Sequence, residues 1–348
     1  MAALITANFA RDIIQIVKFY MANEVDISEN EILKNNPEVL KKLLLDHTTH
    51  KNIFWATDSY ADRGDGFSFY DEITVEHITG ANGQIIQPRA IKALSIQTQR
   101  SKDMAEVFTP SWICNAQNNL IDEAWFERPN VFNIVNEEDH SWEPIEDKIE
   151  FPEGKTWKDY VRDNRLEITC GEGPYLVSRY DTVSGEPINP LKKRIGILDR
   201  KLRIVSENTE KSGDWLKWAK EALKSTYGFE WQGDNLLLAR EALLYTFCDY
   251  YEEKFGVPVP QKSLDGVAYI ISWNIWQMDG LRFVIPGSCD TQYEENLFGE
   301  VTKKECQACK SGSTTGHIGI QCRVKDWKYT GDVEEKKKPR FVTLLNQK

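Results

Sequence analysis

Apolar residues recur at helical spacing in several stretches of the chain. Ile195, Leu198, Leu202 and Val205 form one stripe, and Trp215, Trp218, Ala219 and Ala222 form a second. Steps of three and four predict helices that bury one face. Further helices are expected over 111–126 and 235–254. Residues 1–45 also read as helices, punctuated by Asn30 and Pro37, with Leu40, Leu43 and Leu44 as an apolar stripe. Ile13, Ile14, Ile16, Val17 and Tyr20 give the first of them an amphipathic face. Shorter apolar runs at 52–56, 165–168, 226–230 and within 268–279 read as strands. Alternation through Phe67, Phe69, Ile73, Val75 and Ile78, followed by the turn Gly80-Ala-Asn-Gly83 and Ile85-Ile86, predicts a β-hairpin over 67–88. Residues 127–160 are polar, with acidic clusters and scattered Trp, and read as a loop or lid. From 286 onward the chain is loop-rich.

From 164 onward strands alternate with helices, which predicts an α/β fold with a parallel sheet and helices on its faces. Three regions follow: a helical N-terminal segment (1–50), an α/β domain (51–285) and a C-terminal extension (286–348). The 348 residues supply ample material for a core. No apolar run approaches the roughly 18 residues of a membrane span, and Arg11 and Asp12 interrupt the stretch where a signal peptide would be apolar. The expectation is a cytoplasmic protein with no membrane partner. Seven cysteines, an odd number, fit free thiols or a metal better than disulfides.

The net charge of −11 argues mildly against nucleic acid as partner. Two basic stretches run the other way: Lys192, Lys193, Arg194, Arg200, Lys201 and Arg203 in one, and Arg89, Lys92, Arg100 and Lys102 in the other. Each reads equally well as a nucleic-acid footprint or as a solvated helix face. His47 and His50 read as ordinary surface residues.

Ligands of open α/β sheets bind at the carboxyl ends of the strands. Thr169-Cys170-Gly171-Glu172-Gly173 follows the 165–168 strand, and its glycines permit positive φ and close approach to a ligand. Glu230 ends the next strand and can accept two hydrogen bonds from ribose hydroxyls. Asp279 ends a third and can accept from the exocyclic amine of adenine. Together with Glu106-Val-Phe108-Thr109-Pro110 upstream, Glu167 through Leu176 and Tyr227 through Trp231 form a ladder of three motifs. In order and spacing this ladder resembles the S-adenosylmethionine site of adenine-N6 DNA methyltransferases from restriction-modification systems, over roughly residues 101–285. The resemblance implies a Rossmann-like methyltransferase fold. It implies a cofactor held by Phe108, Thr109, Pro110, Glu167, Thr169, Cys170, Gly171, Gly173, Glu230 and Asp279. Glu167 stands where the family has Asp, and Ile168 where it has Pro.

The family's catalytic signature, Asn/Asp-Pro-Pro-Tyr/Phe, is absent. In that signature a side-chain oxygen and a backbone carbonyl accept the two hydrogens of adenine N6, and the aromatic ring stacks on the flipped base. In the linear order of the family, Ile318–Lys325 would be the catalytic strand, ending at Asp326-Trp327, but too little chain follows Trp327 to complete a sheet. In the circularly permuted order the catalytic strand comes first. Residues 52–56 then lead to Asp58-Ser59-Tyr60, with Asp58 and Tyr60 as the catalytic pair. This second order accounts for more of the chain. The bland reading of Asp58-Ser59-Tyr60 is a polar turn.

Cys306-x2-Cys309-x7-His317-x4-Cys322 carries four zinc-ligand types at nearly zinc-knuckle spacing. The expected protein is therefore a cofactor-binding DNA adenine-N6 methyltransferase with a structural zinc. DNA and a restriction or specificity subunit are its expected partners. A catalytically degenerate subunit that binds cofactor or DNA is the alternative, and a methyltransferase acting on RNA or protein is a third. No nuclease cluster is evident.

Overall fold

The computed structural model describes residues 27–92, 94–104, 109–295 and 299–345. The amphipathic helix expected around Ile13–Tyr20 lies outside them. The helices are α1 (Glu29–Asn35), α2 (Pro37–Leu44), α3 (Val75–Ile78), α4 (Leu94–Met104), α5 (Ser111–Phe126), α6 (Trp157–Arg162), α7 (Ile197–Asn208), α8 (Ser212–Lys224), α9 (Gly233–Phe255), α10 (Gln261–Asn274), α11 (Gln307–Ser311), α12 (Glu334–Lys337) and α13 (Phe341–Leu344). The strands are β1 (Leu45–Asp46), β2 (Lys51–Asn52), β3 (Asn133–Asn136), β4 (Ser141–Pro144), β5 (Arg165–Glu167), β6 (Thr226–Glu230), β7 (Ile275–Gln277), β8 (Tyr293–Glu295) and β9 (Val301–Lys303).

The fold is mixed α/β around one small parallel sheet of order β5-β6-β7. Arg165 pairs with Thr226 and Gly228 with Ile275, so the three strands step across the sheet in chain order. Helices α7 and α8 link the first pair, and α9 and α10 the second. Strand β6 is buried because it is central. Helix α9 is buried at most positions, from Leu236 and Leu237 through Phe247 to Tyr251, so it lacks the polar face of a surface helix. Helix α2 packs on α10, and its Leu40, Leu43 and Leu44 belong to the same apolar cluster as α9. The first helices are thus part of the main core. A second cluster, with Phe229 and Trp276 of the sheet against Cys322, Val324 and Phe341, sits under the C-terminal region.

Three expectations are corrected. Residues 67–88 do not form a hairpin. Ala56 donates to Phe69 and Ile73 to Ile53 across an irregular pairing, and the chain then turns into α3, where Thr74 and His77 cap the helix reciprocally. This local capping outcompetes the alternating pattern. The 52–56 segment is no strand of the parallel sheet, so it gives no support to a permuted order. Only Lys51 and Asn52 are in β2, and Phe54 is held by Gln277, which donates to its carbonyl (2.8 Å) and accepts from its amide (3.1 Å). Residues 127–160 are no lid. They contain the β3–β4 hairpin, which Trp142 Nε1 ties to the Lys193 carbonyl at 2.7 Å, and the first turn of α6 with the buried Tyr160. The linear alternative also lacks its strand: Gln321 and Arg323 form only isolated bridges.

His47 is also no ordinary surface residue. Its ring stacks on Trp273 at 4.1 Å and meets Ser272 Oγ at 2.9 Å. Burial, reinforced by Arg240 and Lys325, pushes its pKa down to about 3. The neutral ring therefore contributes stability present above about pH 6.5 and lost as pH falls towards about 3. His47→Phe keeps the stack and removes the proton site. It is expected to flatten the loss of melting temperature across that window, and an acid limb identical to the parent's would refute this.

Candidate functional site

A cavity of about 1320 Å³ lies at the carboxyl ends of β5 and β6, lined by residues from widely separated parts of the chain. The turn after β5 builds its floor. Thr169, Gly171 and Gly173 all have positive φ (49°, 54° and 81°). The Cys170 amide donates to the Phe229 carbonyl at 2.8 Å, and the Gly173 amide to Cys170 at 2.7 Å. These bonds bring the Gly171 amide to Glu230 Oε2 at 2.9 Å, while Glu230 Oε1 accepts from Gln232 N at 3.2 Å. Glu230 is thereby locked in place with acceptor capacity left over. Gly173 itself does not line the cavity. A Cβ there would stand 3.6 Å from Ala239, which suits the seating of the turn on α9.

Glu167, at the end of β5, lies on the cavity wall with Oε2 buried and without a hydrogen-bond partner. Burial raises its pKa well above the usual range; Glu230 adds to this, and the Tyr175 and Leu176 amides oppose it. Burial raises Glu230 as well. Burial thus biases both carboxyls of the cavity towards their neutral forms, and a cationic ligand would favour their ionisation.

The other predicted residues divide. Thr109 and Cys170 line the cavity with Glu167, Thr169, Gly171 and Glu230. Pro110 precedes α5 and lies outside the lining, and Phe108 falls outside the described residues. Asp279 is not brought to the site. Its Oδ1 accepts the amides of Leu281 (2.9 Å) and Arg282 (3.1 Å), closing a tight turn after β7. Asp58 lines the cavity and is held by the Phe69 amide at 2.9 Å. Tyr60 does not join it, because its hydroxyl donates to the buried Asp234 carboxylate at 2.8 Å and its ring packs on Trp55. The aromatic rings on the lining beside Asp58 are Phe69 and Trp231.

The basic stretches turn mostly inward. Arg100 pairs with Asp234 at 2.9 Å with both side chains buried, and Lys92 approaches the same carboxylate at 4.0 Å. Arg194, Arg200, Lys201 and Arg203 are likewise buried. Neither stretch is a solvated face, and neither presents a continuous basic surface. Arg100, Lys102 and Gln99 of α4 and Gln117 and Asn118 of α5 line the cavity, and no motif marked them in advance. For the α4 residues the signal was the run of basic and glutamine residues over 86–102, and Gln117 and Asn118 carried none.

A second grouping lies in the C-terminal region. Cys289, Cys306, Cys309 and His317 bring one ligand atom each within 4.8 Å of one another, and this cluster can hold a metal ion. Three of the four predicted ligands meet there. Cys322 does not: it is buried in the cluster under the sheet, and its Sγ reaches the Gln277 carbonyl at 3.4 Å. Cys289 takes its place. No helix among the described residues is long and apolar enough to cross a membrane. Comparison with known proteins finds no matching family model, curated protein or solved structure.

Proposed function

We propose that the cavity binds S-adenosylmethionine on a Rossmann-like sheet and that the protein acts as an adenine-N6 DNA methyltransferase or as a component of one. One observation carries the reading. Thr109, the Glu167–Gly171 turn and Glu230 come from three separate segments and line a single cavity at the carboxyl ends of adjacent parallel strands. Glu167, with its unpartnered buried oxygen, suits the cofactor's ammonium group, and the fixed carboxylate of Glu230 suits the ribose hydroxyls. The bound cofactor would supply an electrophilic methyl group. The volume exceeds the roughly 300–1,000 Å³ of ordinary small-molecule pockets, which leaves room for a nucleobase beside Asp58, Phe69 and Trp231. Asp58 would accept a hydrogen bond from the base's amine, and the two rings would offer the base a stacking face. A structural zinc belongs to the same reading, since three thiols and an imidazole suit that ion.

The bonding of Tyr60 to Asp234, together with the missing signature, favours a second reading, a cofactor- or DNA-binding subunit that leaves chemistry to a partner. Titration calorimetry with S-adenosylmethionine tests what the two readings share, and no heat of binding at millimolar ligand defeats both. Transfer of labelled methyl groups to duplex DNA then separates them. The enzyme reading expects transfer that falls by about 100-fold in Asp58→Ala. Transfer that is unchanged in the variant removes Asp58 from the chemistry, and cofactor binding with no transfer supports the subunit reading.

A further inference from the structure

In the C-terminal cluster, His317 Nδ1 stands from the three sulfurs at the spacing that a tetrahedral ion requires. Zinc–sulfur bonds near 2.3 Å and zinc–nitrogen bonds near 2.0 Å at tetrahedral angles place sulfur and nitrogen roughly 3.5 Å apart. His317 Nδ1 stands 3.7, 3.5 and 3.4 Å from the sulfurs of Cys289, Cys306 and Cys309. The other ring nitrogen, Nε2, lies 2.8 Å from the Ser313 carbonyl, which can only accept. The ring proton is therefore on Nε2, and the Nδ1 lone pair points at the thiols. Backbone amides of Cys309 and Ile318 are directed at Cys306 Sγ, and that of Gly319 at Cys289 Sγ. Amide donors around sulfur are the outer shell that a metal thiolate needs.

Cys289 is the ligand contributed from outside the compact 306–317 loop, and its position has a consequence for the cavity. Two residues before it, Gly287 has a φ of +68°, and a Cβ there would stand 2.7 Å from Tyr70 Oη and 3.2 Å from Phe69 Cε1. The Gly287 backbone thus lies directly against the Phe69-Tyr70 pair. Tyr70 Oη reaches the Gly287 carbonyl at 3.5 Å. Phe69 lines the cavity, its amide holds Asp58, and its ring meets Trp231 edge-on at 6.4 Å. The segment is also tied to residues 53–56, where Trp55 and Ala56 donate to the Asp71 and Phe69 carbonyls and the Phe54 ring packs on Phe69 and Tyr70, and the Gly287 turn adds a contact from a distant part of the chain.

We propose that Cys289, Cys306, Cys309 and His317 bind one zinc ion, and that the ion braces the Asp58–Phe69 wall of the cavity by clamping the Gly287 turn beneath Phe69 and Tyr70. This rests on the metal part of the reading above and is independent of which ligand fills the cavity.

The test uses the full chain purified with zinc. Atomic emission is expected to find one equivalent in the parent and in Cys322→Ser, and little in Cys289→Ser. Less than about half an equivalent in the parent overturns the site, and retention in Cys289→Ser with loss in Cys322→Ser overturns its ligand set. Hydrogen exchange then reads the brace. Removing the ion from the parent with a chelator is expected to speed exchange over 66–73 about ten-fold while leaving α9 protected. Unchanged exchange over 66–73 after verified loss of zinc overturns the brace, and loss of protection in α9 as well overturns a local role. The chelated parent supplies this readout even where Cys289→Ser fails to fold.

Discussion

Asp122→Ala is expected to destabilise the protein by about 3–5 kcal/mol, the cost of leaving buried charges uncompensated. Asp122 lies on α5 with its carboxylate buried, and it accepts from three groups that the core cannot release to water. These are Arg165 Nη1 at 3.1 Å, Arg200 Nη1 at 2.5 Å and the Tyr160 hydroxyl at 2.8 Å. Arg165 opens β5, Arg200 belongs to α7 and Tyr160 to α6, so one carboxylate joins four elements. Its neighbours are committed elsewhere. Arg200 Nη2 also donates to Asn115 and Asn119, and Arg165 Nε to Asp163. Alanine would leave the buried Arg200 guanidinium without its counter-charge and Arg165 with Asp163 alone. Asp122→Asn keeps an acceptor and is expected to cost less. Urea unfolding followed by circular dichroism measures both, and a loss below about 1 kcal/mol in the alanine variant would show that this network is dispensable.

On the reading proposed above, Glu230→Gln is the second change expected to have a large effect, a 10- to 100-fold weaker affinity for S-adenosylmethionine with little loss of fold. Both carboxylate oxygens accept from backbone amides, Gly171 on one side and Gln232 on the other. An amide side chain must turn its NH₂ towards one of those N–H groups and loses an acceptor that the ribose would use. The loss of one hydrogen bond to a charged acceptor, about 1.5–3 kcal/mol, corresponds to roughly this range. Parallel calorimetry on parent and variant checks it, and affinities within two-fold would remove Glu230 from the ligand site. The pH dependence carries a sign as well. Because burial raises Glu167, the empty cavity favours its neutral form, and a cationic ligand must pull the proton off. Affinity for such a ligand should therefore rise with pH until Glu167 is ionised in the free protein.

Much of the fold was legible in the sequence because its signals are local. The stripes of α7 and α8 and the compact apolar run of β6 each lie within a few residues of chain. Their periods report burial directly. The Thr169–Gly173 turn was legible for the same reason, since glycines at two-residue spacing permit positive φ. Where local signals competed, the reading failed. Residues 67–78 alternate like a strand, yet the reciprocal cap between Thr74 and His77 ends the extended chain.

The sequence by itself determined α1, α2, α5, α7, α8 and α9, the central strand, the glycine turn and most of the residues with chemistry to offer. Tertiary structure alone decided which of those residues meet. It gave the metal cluster Cys289 instead of Cys322, although Cys322 is nearer to His317 along the chain. It turned Tyr60 towards Asp234 and left Asp58 on the cavity, two residues away. It drew Arg100 and Arg200 into buried pairs that charge counting had read as surface. The physical reason is common to all three. Periodicity reports how much of a side chain is buried, whereas a buried polar group must also find a specific partner. That partner is set by how distant elements pack and is not written in the residues alongside.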